Sequence, residues 1–371
     1  MTGTITATYQ IFGDDARARA TGLAVEQSHE LPTELAPESA LVSLGAVTDF
    51  DQSADGLAVA TVEYPAELAG GELAQLLVLL LGNVSLQDGI RLIDVDLPES
   101  LVAELGGGTR LGTPGVRRVL GVPDRPLLAT ALKPVGLDVA GLTTMATELA
   151  IGGIDVIKDD QGLANQVWAP YRERVARVAE AVREANASSG RSAVYLPAVA
   201  GPVEQFEERL RFAAESGAGG VLLMPGISGF DAVRRAAAVL PADAVIMAHP
   251  SFLGGFTASG THGIAPDVLF GPLMRIAGAD TVIFPSAGGR FSLTVEQCRA
   301  IAESSARDLA GLTASLPAPG GGMSIERVPE LVELYGPDVL LLIGADLHRG
   351  GDLRGSAERF RAAADAASPA R

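Results

Sequence analysis

The sequence predicts a small, ferredoxin-like α+β domain at the N-terminus, followed by an eight-stranded (β/α) barrel. Three observations support this fold class. The chain has 371 residues, which suits a barrel of about 250 residues with a smaller partner domain. Hydrophobic residues make up 47% and charged residues 20% of the composition, so a large core can form. Beyond the first third of the chain, short apolar runs alternate regularly with amphipathic helical segments.

The first block, residues 1–124, is predicted to contain four strands and one helix. The alternation in ITATYQIF is typical of a half-buried strand, and residues Ala66 to Leu81 are predicted to form a helix. A glycine-rich stretch, ELGGGTRLGTPGVRRVLGVPDRP, then predicts a flexible connection rather than a phosphate loop, because no strand leads directly into it. The other strand-like runs are LVSLGAVTDF, LAVATVEYP and IRLIDVDLP.

The second block, residues 125–371, repeats one unit: an apolar run, a polar or Gly/Pro turn, and a helix. Eight evenly spaced units favour a closed barrel over an open, doubly wound sheet. No GxGxxG lies between a strand and a helix, so a dinucleotide fold has no support. The runs are LLATALKP, GIDVIKDD, AVYLPAVAGP, GVLLMPG, AVIMAHPS, TVIFPSAGG, LPAPGGG and VLLLIGAD.

Charge and composition exclude several classes of partner and site. The net charge of −17, with no Lys/Arg cluster to offset it, argues against nucleic acid and anionic membranes as partners. Cys298 is the only cysteine, so an internal disulfide or a cysteine-based zinc site cannot form. The N-terminus lacks the features of a signal peptide, and LLVLLLG is too short to span a membrane. We therefore expect a soluble, cytoplasmic protein.

The predicted strand ends carry the chemically active residues. In (β/α) barrels the active site lies at the C-terminal ends of the strands. Burying a lysine there costs several kcal/mol unless it is paired, and neighbouring aspartates form a natural site for a divalent cation. Two lysines and adjacent carboxylates at one barrel mouth therefore indicate a functional site. In chain order the strand ends supply Lys133, Lys158, Asp159, Asp160, Gln161, His249, Ser286, Gly320, Gly321, Gly322, Gly344, Ala345 and Asp346.

Each of these residues can also be interpreted as purely structural. Lys133 can be a rim lysine that points to water, and the KDD run can be a solvated turn. His249 can be a core histidine, and Ser286 can be an ordinary turn residue. The glycine groups can be two tight turns, although glycine followed by a helix N-terminus also suits a phosphate held by backbone N–H groups.

The strand-end motifs resemble those of the RuBisCO large-subunit superfamily, particularly its non-carboxylating, form IV RuBisCO-like proteins. GGIDVIKDD resembles the second-strand motif, which implies that Lys158 reacts with CO2 to give a carbamate (N6-carboxylysine) and that Asp160 binds Mg2+. Gln161 falls on the position of the third metal ligand. ALKP resembles the motif of a catalytic lysine, here Lys133, and MAHP places His249 at the fifth-strand histidine.

The resemblance extends into the N-terminal block and the glycine loops. LLGNVS resembles the segment whose asparagine, here Asn83, reaches substrate and metal, and AVEQS resembles the segment that supplies a glutamate, here Glu26, from the partner subunit. GGG and LIGAD resemble the phosphate-binding loops. The resemblance therefore implies a homodimer, or a multiple of dimers, whose sites lie between subunits.

The departures from the family pattern argue against ribulose bisphosphate carboxylation. Gln161 is a neutral residue at a carboxylate position, and Pro250 replaces an arginine that binds phosphate. A second lysine near KP is missing, and FPSAGGRF lacks the mobile-loop lysine, for which Arg290 is no equivalent. Asp346 replaces a glycine of the remaining phosphate site, where its charge can repel a phosphate unless Arg349 or a metal compensates.

The function expected from these residues is metal-dependent enolate chemistry on an oxidised sugar or acid-sugar phosphate. Lys133 is the first candidate base, the Lys158 carbamate is the second, and His249 is expected to orient a hydroxyl or relay a proton. The segments KPVGL and IKDDQGLANQ resemble those of the group that contains 3-oxo-isoapionate 4-phosphate transcarboxylase/hydrolases, which favours cleavage of that substrate. Enolase or isomerase activity on a (methylthio)ketose 1-phosphate is the alternative, and a non-catalytic metal- and ligand-binding module is a third.

Overall fold

The computed structural model describes residues 3–53, 56–106, 108–289 and 293–368. Its N-terminal part is a sheet of five strands, of which the first four in the chain pair antiparallel. In order across the sheet they are β10 (Gly263–Ile264), β4 (Ile90–Asp96), β1 (Thr4–Phe12), β3 (Leu57–Pro65) and β2 (Ala46–Gln52). Along β1, residues Ile5, Ala7, Tyr9 and Ile11 alternate to one buried face, as the sequence pattern predicts.

The second part is a closed barrel of eight parallel strands, which confirms the predicted fold class. Its strands follow one another in chain order around the barrel, and a parallel bridge between Ala198 and Leu222 joins the two end strands of the sheet. All eight predicted runs form barrel strands. They are β5 (Leu127–Leu132), β6 (Val156–Asp159), β7 (Val194–Leu196), β8 (Gly220–Leu223), β9 (Val245–Ala248), β11 (Thr281–Pro285), β12 (Leu316–Gly320) and β13 (Leu340–Leu342).

Most helices of the second part cover the outside of the barrel, and a short strand, β10 (Gly263–Ile264), joins the two parts by pairing with β4. None of the helices in the described residues is long and apolar enough to cross a membrane. The helices are α1 (Ala16–Ser28), α2 (Leu73–Leu81), α3 (Glu99–Glu104), α4 (Gly112–Leu120), α5 (Val139–Ile151), α6 (Tyr171–Ser189), α7 (Phe206–Glu215), α8 (Pro225–Ser228), α9 (Phe230–Val239), α10 (Gly254–Thr257), α11 (Pro266–Val268), α12 (Met274–Ala277), α13 (Val295–Ala306), α14 (Val328–Tyr335) and α15 (Leu353–Ala366).

Two N-terminal predictions need correction. The predicted helix from Ala66 to Leu81 is a 3-10 turn followed by α2, because Gly70 and Gly71 between them have φ of 58° and 68°. These left-handed conformations interrupt a helix and are readily adopted by glycine. The predicted strand LVSLGAVTDF begins only at Ala46, since its first residues end a 3-10 helix that spans Glu38–Ser43. Helix α1 was not predicted.

Helix α4 closes the N-terminal end of the barrel, although its glycine-rich sequence predicts a flexible connection. Val116 and Leu120 pack against inward-facing side chains of the barrel strands. The buried carboxylate of Asp280 accepts the N–H groups of Leu111 at 2.7 Å and Gly112 at 3.0 Å, which fixes the start of the helix. Because α4 precedes residue 125 but packs on the barrel, the division at residue 124 stays a proposal. The opposite, C-terminal end of the barrel carries the candidate site.

Candidate active site at the C-terminal end of the barrel

Strand β6 presents its residues alternately to the inside and the outside of the barrel. Val156 belongs to the interior cluster and Ile157 to the cluster beneath the helices. By the same alternation Lys158 points inward and Asp159 outward. Both side chains are buried, with relative exposures of 2% and 0%. The two adjacent aspartates of the KDD run therefore do not face one site, contrary to the interpretation that they act as a pair.

Asp159 is held by groups on the outer side of the barrel wall. Its Oδ2 accepts hydrogen bonds from Arg174 Nε at 3.1 Å and the Ala198 N–H at 3.0 Å. Its Oδ1 accepts from the Tyr195 hydroxyl at 2.7 Å. Arg174 and Asp159 are both fully buried, so this ion pair joins β6 to α6 as part of the core.

We predict that Asp159→Asn lowers the free energy of unfolding by about 3–5 kcal/mol, because it leaves the Arg174 charge buried and uncompensated. Asp231→Asn provides a matched control, since the Asp231–Arg234 pair is exposed and contributes about 1 kcal/mol or less. Urea unfolding of the two variants measures the difference. Equal losses would show that the buried pair contributes no more than a surface pair.

Lys158 is the most buried cation at the barrel mouth. Its Nζ donates to the carbonyl oxygen of Asp159 at 3.1 Å. Burial lowers its pKa to about 8, against the opposing attraction of the Asp160 carboxylate and with the help of the Lys133 charge. A lowered pKa leaves more of the amine neutral, and the neutral amine is the form that adds CO2.

Lys133 and Asp160 form an ion pair beside Lys158. Lys133 Nζ lies 2.5 Å from Asp160 Oδ2, and Asp160 Oδ1 accepts the Gly162 N–H at 3.0 Å. Burial alone would raise the pKa of Asp160, but these hydrogen bonds hold it below its ordinary value. The side chain of Lys133 is 39% exposed, so it is less desolvated than its expected role as a neutral base requires.

His249 follows β9 and is held by the next turn of the chain. Its Nδ1 lies 3.1 Å from the backbone N of Ser251 and 2.8 Å from the Ser251 hydroxyl oxygen. Burial, together with the charges of Lys158 and Lys133, lowers the pKa of His249 to about 3, although Asp160 opposes the shift. The imidazole is therefore neutral at physiological pH.

The metal site expected from the sequence is only partly formed by unmodified residues. Asp160 supplies one carboxylate at the mouth, while Gln161 is exposed on the following loop. Within residues 3–53, 56–106, 108–289 and 293–368, no three His, Cys, Asp or Glu side chains are grouped to bind a metal. Carbamylation of Lys158 would add a second carboxylate-like group next to Asp160, and that donor chemistry fits Mg2+.

The glycine loops after β11 and β12 pack closely against each other. A Cβ at Gly322 would lie 2.5 Å from the Cα of Gly289, so glycine is needed there for packing. Gly321 and Gly322 also have positive φ, 89° and 72°. Gly320 ends β12, and its carbonyl accepts the Ser286 N–H at 2.8 Å. The loops thus have a structural reason for their glycines beside the expected phosphate role.

Asp346 lies where the sequence predicts a bound phosphate. Its Oδ2 accepts the N–H of Ile325, the first residue of the turn that leads into α14, at 3.0 Å. Its Oδ1 lies 3.1 Å from Arg349 Nε, and its side chain is 16% exposed. Arg349 thus provides the compensating charge considered in the sequence analysis. Gly344, two residues before Asp346, lies next to Lys133. A Cβ built on this glycine would be 4.0 Å from the Lys133 Cε.

Ser286 is buried, with 1% exposure, and its hydroxyl oxygen lies 3.1 Å from the hydroxyl oxygen of Tyr335. Its side chain therefore has a protein partner, and its expected substrate contact stays a prediction. Arg290 lies outside the described residues. The single cysteine, Cys298, is buried in α13 and packs in the core.

Glu26 and Asn83 lie together on the N-terminal domain. Asn83 Nδ2 donates to Glu26 Oε1 at 3.0 Å, and Asn83 is exposed. In the described parts of the chain, no hydrogen bond or ion pair connects either residue to Lys133, Lys158 or His249. The structure thus brings together Lys133, Lys158, Asp160 and His249, but does not add Glu26 and Asn83 to them within one subunit.

Sequence reasoning missed three residues near the mouth. Ser251 contacts His249, as described above. His348 ends the 3-10 turn after Gly344, and burial and the Lys133 charge both lower its pKa, which indicates that it lies near Lys133. Trp168, on the loop between β6 and α6, is 48% exposed. One unused sequence signal also points to the site: Lys133 and Lys158 are the only lysines in the chain.

Comparisons with known proteins agree on the family. A family model described as "Ribulose bisphosphate carboxylase large chain, catalytic domain" matches residues 112–369. The chain is 40% identical to a 5-methylthioribulose-1-phosphate isomerase of Rhodospirillum rubrum, over 95% of this chain and 93% of that protein. It is 31% identical to a 2,3-diketo-5-methylthiopentyl-1-phosphate enolase of Geobacillus thermodenitrificans, over 98% and 92% of the two chains.

A crystal structure of a Rubisco-like protein from Rhodopseudomonas palustris superimposes with a TM-score of 0.86. The two chains are 38% identical, and the match covers 98% of each. These relatives carry names of RuBisCO-like proteins, an isomerase and an enolase, which agrees with the loss of the carboxylase residues noted in the sequence. The chain therefore belongs to the RuBisCO large-chain family, as a RuBisCO-like enzyme that is not a carboxylase.

Proposed function

We propose that this protein is a Mg2+-dependent enzyme that moves a proton next to the carbonyl group of a ketose phosphate. The observation that carries the proposal is the group formed by Lys158, Asp160 and Lys133 at one barrel mouth, with neutral His249 nearby. A methylthioketose 1-phosphate is the preferred substrate class, and isomerisation is the preferred reaction.

The comparisons favour isomerisation of a methylthioketose 1-phosphate over cleavage of 3-oxo-isoapionate 4-phosphate, the reaction expected first from the sequence. The relative with 40% identity is named as an isomerase of 5-methylthioribulose 1-phosphate, and the relative with 31% identity as an enolase of a methylthio diketone phosphate. Neither name describes hydrolysis or carboxyl transfer. Both names imply removal of a proton adjacent to a carbonyl, which is the chemistry proposed for Lys133.

A divalent cation bound by the Lys158 carbamate and Asp160 would supply Lewis-acid stabilisation of the negative charge that develops on the substrate oxygen. Lys158 must first lose a proton and add CO2, and its buried position lowers the cost of the first step. In the structure, Oδ2 of Asp160 is paired with the Lys133 ammonium and is therefore not available to a metal ion. If Asp160 bound the metal ion in place of Lys133, the Lys133 side chain would be released.

Lys133 is the proposed proton-transfer residue. Once released from Asp160, the Lys133 ammonium must first give up a proton to water. Its neutral Nζ can then take a proton from the carbon beside the substrate carbonyl. In an isomerase the proton is then returned to a different carbon, whereas in an enolase a proton is given to the carbonyl oxygen, which produces the enol. The Lys158 carbamate remains the second candidate for the base. His348 ends the 3-10 turn that follows Gly344, the glycine next to Lys133, and so adds an imidazole to this side of the mouth.

The substrate phosphate is proposed to bind at the glycine loops after β12 and β13, beside Asp346. Asp346→Gly would remove a negative charge and free the Ile325 N–H for the phosphate. We predict that this change lowers KM for a ketose phosphate about 10-fold, as expected for one hydrogen bond to a charged group. Loss of the contact to the helix end should cost about 1 kcal/mol of stability.

Steady-state kinetics and thermal unfolding of Asp346→Gly measure the two effects. Asp346→Asn is the matched control, because it removes the charge but keeps an oxygen that accepts the Ile325 N–H. An unchanged or higher KM in both variants would place the phosphate away from these loops.

A homodimer with shared sites is proposed to complete the mouth with Glu26 and Asn83 of a second subunit. Exposed apolar side chains support this arrangement, because they are found around the mouth and on the N-terminal domain. Around the mouth they are Val167, Trp168, Val203, Ile227 and Phe252, with exposures from 48% to 93%. On the N-terminal domain they are Leu35, Val42, Val78 and Leu86, with exposures from 49% to 87%.

Co-expression of Asn83→Ala with Lys158→Ala tests the shared site. Each variant alone is expected to be nearly inactive, while mixed dimers have one intact site out of two. Random pairing should therefore restore about one quarter of wild-type activity, because half of the dimers are mixed. Activity no higher than that of either variant alone, or an active monomer by light scattering, would contradict the shared site.

The reaction itself is tested by incubating the protein with Mg2+, bicarbonate and a panel of substrates in D2O, followed by proton NMR. The panel contains 5-methylthioribulose 1-phosphate, 2,3-diketo-5-methylthiopentyl 1-phosphate and 3-oxo-isoapionate 4-phosphate. Turnover of the first with deuterium incorporation is expected, and turnover of the second instead would establish an enolase. Cleavage of the third to two smaller products, without turnover of the others, would overturn the proposal.

A further inference from the structure

The turn that follows His249 contains a hydrogen bond that determines which ring nitrogen carries the proton. The Ser251 N–H donates to Nδ1 of His249 with an N···N distance of 3.1 Å. A backbone N–H can only donate, so Nδ1 must hold a lone pair rather than a proton. The proton of the neutral ring is therefore on Nε2.

The Ser251 side chain strengthens the same arrangement. Its hydroxyl oxygen lies 2.8 Å from Nδ1, and because Nδ1 is an acceptor, the hydroxyl is the donor of this bond. Nδ1 thus accepts two hydrogen bonds from one residue, as a three-centre bond. Protonation of Nδ1 would break the bond from the backbone N–H and would force the hydroxyl to turn and accept instead.

The backbone of the turn is held in a conformation that its sequence does not favour. The Leu253 N–H donates to the Pro250 carbonyl at 3.0 Å, which closes a four-residue turn. Phe252, the third residue of that turn, has φ of 70°, a left-handed value that type II turns normally assign to glycine. A strained residue of this kind persists only where the surrounding contacts impose it.

We infer that Ser251 is a positioning residue that keeps His249 in the Nε2–H tautomer, so that His249 serves the reaction as a neutral hydrogen-bond donor and not as a base. The inference rests on the proposed function, because the donor would act on the oxygen that becomes negative during enolisation. Nε2–H has a proton to give to that oxygen and no lone pair with which to take one from carbon. The group that takes the proton from carbon must then be Lys133 or the Lys158 carbamate.

Nitrogen NMR of the 15N-histidine-labelled protein tests the tautomer without any substrate. The chain has four histidines, so the spectrum of His249→Gln identifies the resonances of His249 by their loss. The expected spectrum shows an unprotonated Nδ1 and a protonated Nε2. A protonated Nδ1 in the wild-type protein would overturn the inference, even if no member of the substrate panel is turned over.

Variants of Ser251 test its positioning role. Ser251→Ala should populate the Nδ1–H tautomer in part and lower kcat about 3- to 10-fold, with little change in KM. Ser251→Thr, which keeps the hydroxyl, should restore both the tautomer and kcat. Ser228→Ala is the control, since that hydroxyl bonds the Met224 carbonyl on the neighbouring loop. An unchanged tautomer and kcat in Ser251→Ala would contradict the role of Ser251.

Two variants of His249 separate a donor from a base. His249→Gln offers an amide N–H near the position of Nε2 but cannot act as a base, and it should lower kcat about 10-fold. His249→Phe keeps the ring shape without a donor and should lower kcat about 100-fold or more. Equal loss in the two variants, with both folded by circular dichroism, would contradict the donor role.

Discussion

Lys158→Ala is expected to lower kcat/KM about 1,000-fold or more, because the variant cannot form the carbamate that supplies one of the two metal-binding carboxylates. Lys158 is buried at the mouth, and the one other lysine of the chain, Lys133, is held in an ion pair with Asp160. Steady-state assays with Mg2+ and bicarbonate measure the loss.

Lys158→Arg is the matched control for charge and length. It keeps a cation in the barrel but removes the amine that adds CO2, so it should be as inactive as Lys158→Ala. Thermal unfolding of both variants shows whether the fold is retained. Full metal-dependent activity in either folded variant would rule out the carbamate.

Lys133→Met is expected to lower kcat about 100- to 10,000-fold, the range attributed to a positioned acid–base group. Methionine has a similar length but cannot carry a proton, and it leaves Asp160 without its ion-pair partner. Binding of Mg2+ should persist or become tighter, since the Asp160 oxygen that held Lys133 becomes available. Measurements of kcat and of metal affinity should therefore show a loss of kcat without a loss of metal affinity.

Deuterium exchange separates the proton-transfer step from binding in the Lys133 variants. Lys133→Met should lose exchange between the substrate and D2O while it still binds the substrate. Lys133→Arg keeps the charge but stays protonated, so it should also lose exchange. Undiminished exchange in Lys133→Met would assign the proton transfer to another group, with the Lys158 carbamate as the first candidate.

The barrel was predictable from sequence because its strands are continuous apolar runs that end in turns. Helices α1 and α4, which were not predicted, differ in that respect. Helix α1 buries mostly alanines, Ala16, Ala20 and Ala24, among polar residues, so its apolar face is weak in sequence. Helix α4 contains glycine and proline, and its stability comes from burial against the barrel and from Asp280, which lies far away in the chain.

The candidate site was predictable where strand position alone determines direction. Lys158, on β6, and Asp160, directly after it, both point inward because they are two residues apart, and the same period of two would have assigned Asp159 to the outside. The contact of Ser251 with His249 depends on the conformation of a loop. The contact of Asp346 with Ile325 depends on pairing between two segments that are separate in the chain. Neither contact has a local pattern in the sequence.

Carbon NMR with 13C-bicarbonate tests the central claim most directly, because the chain has only two lysines. In the presence of Mg2+ the wild-type protein should show one lysine carbamate resonance, whose intensity rises with activity as bicarbonate is added. The resonance should persist in Lys133→Met and be absent from Lys158→Ala. A fully active wild-type protein without a carbamate, or a carbamate that survives in Lys158→Ala, would contradict the account.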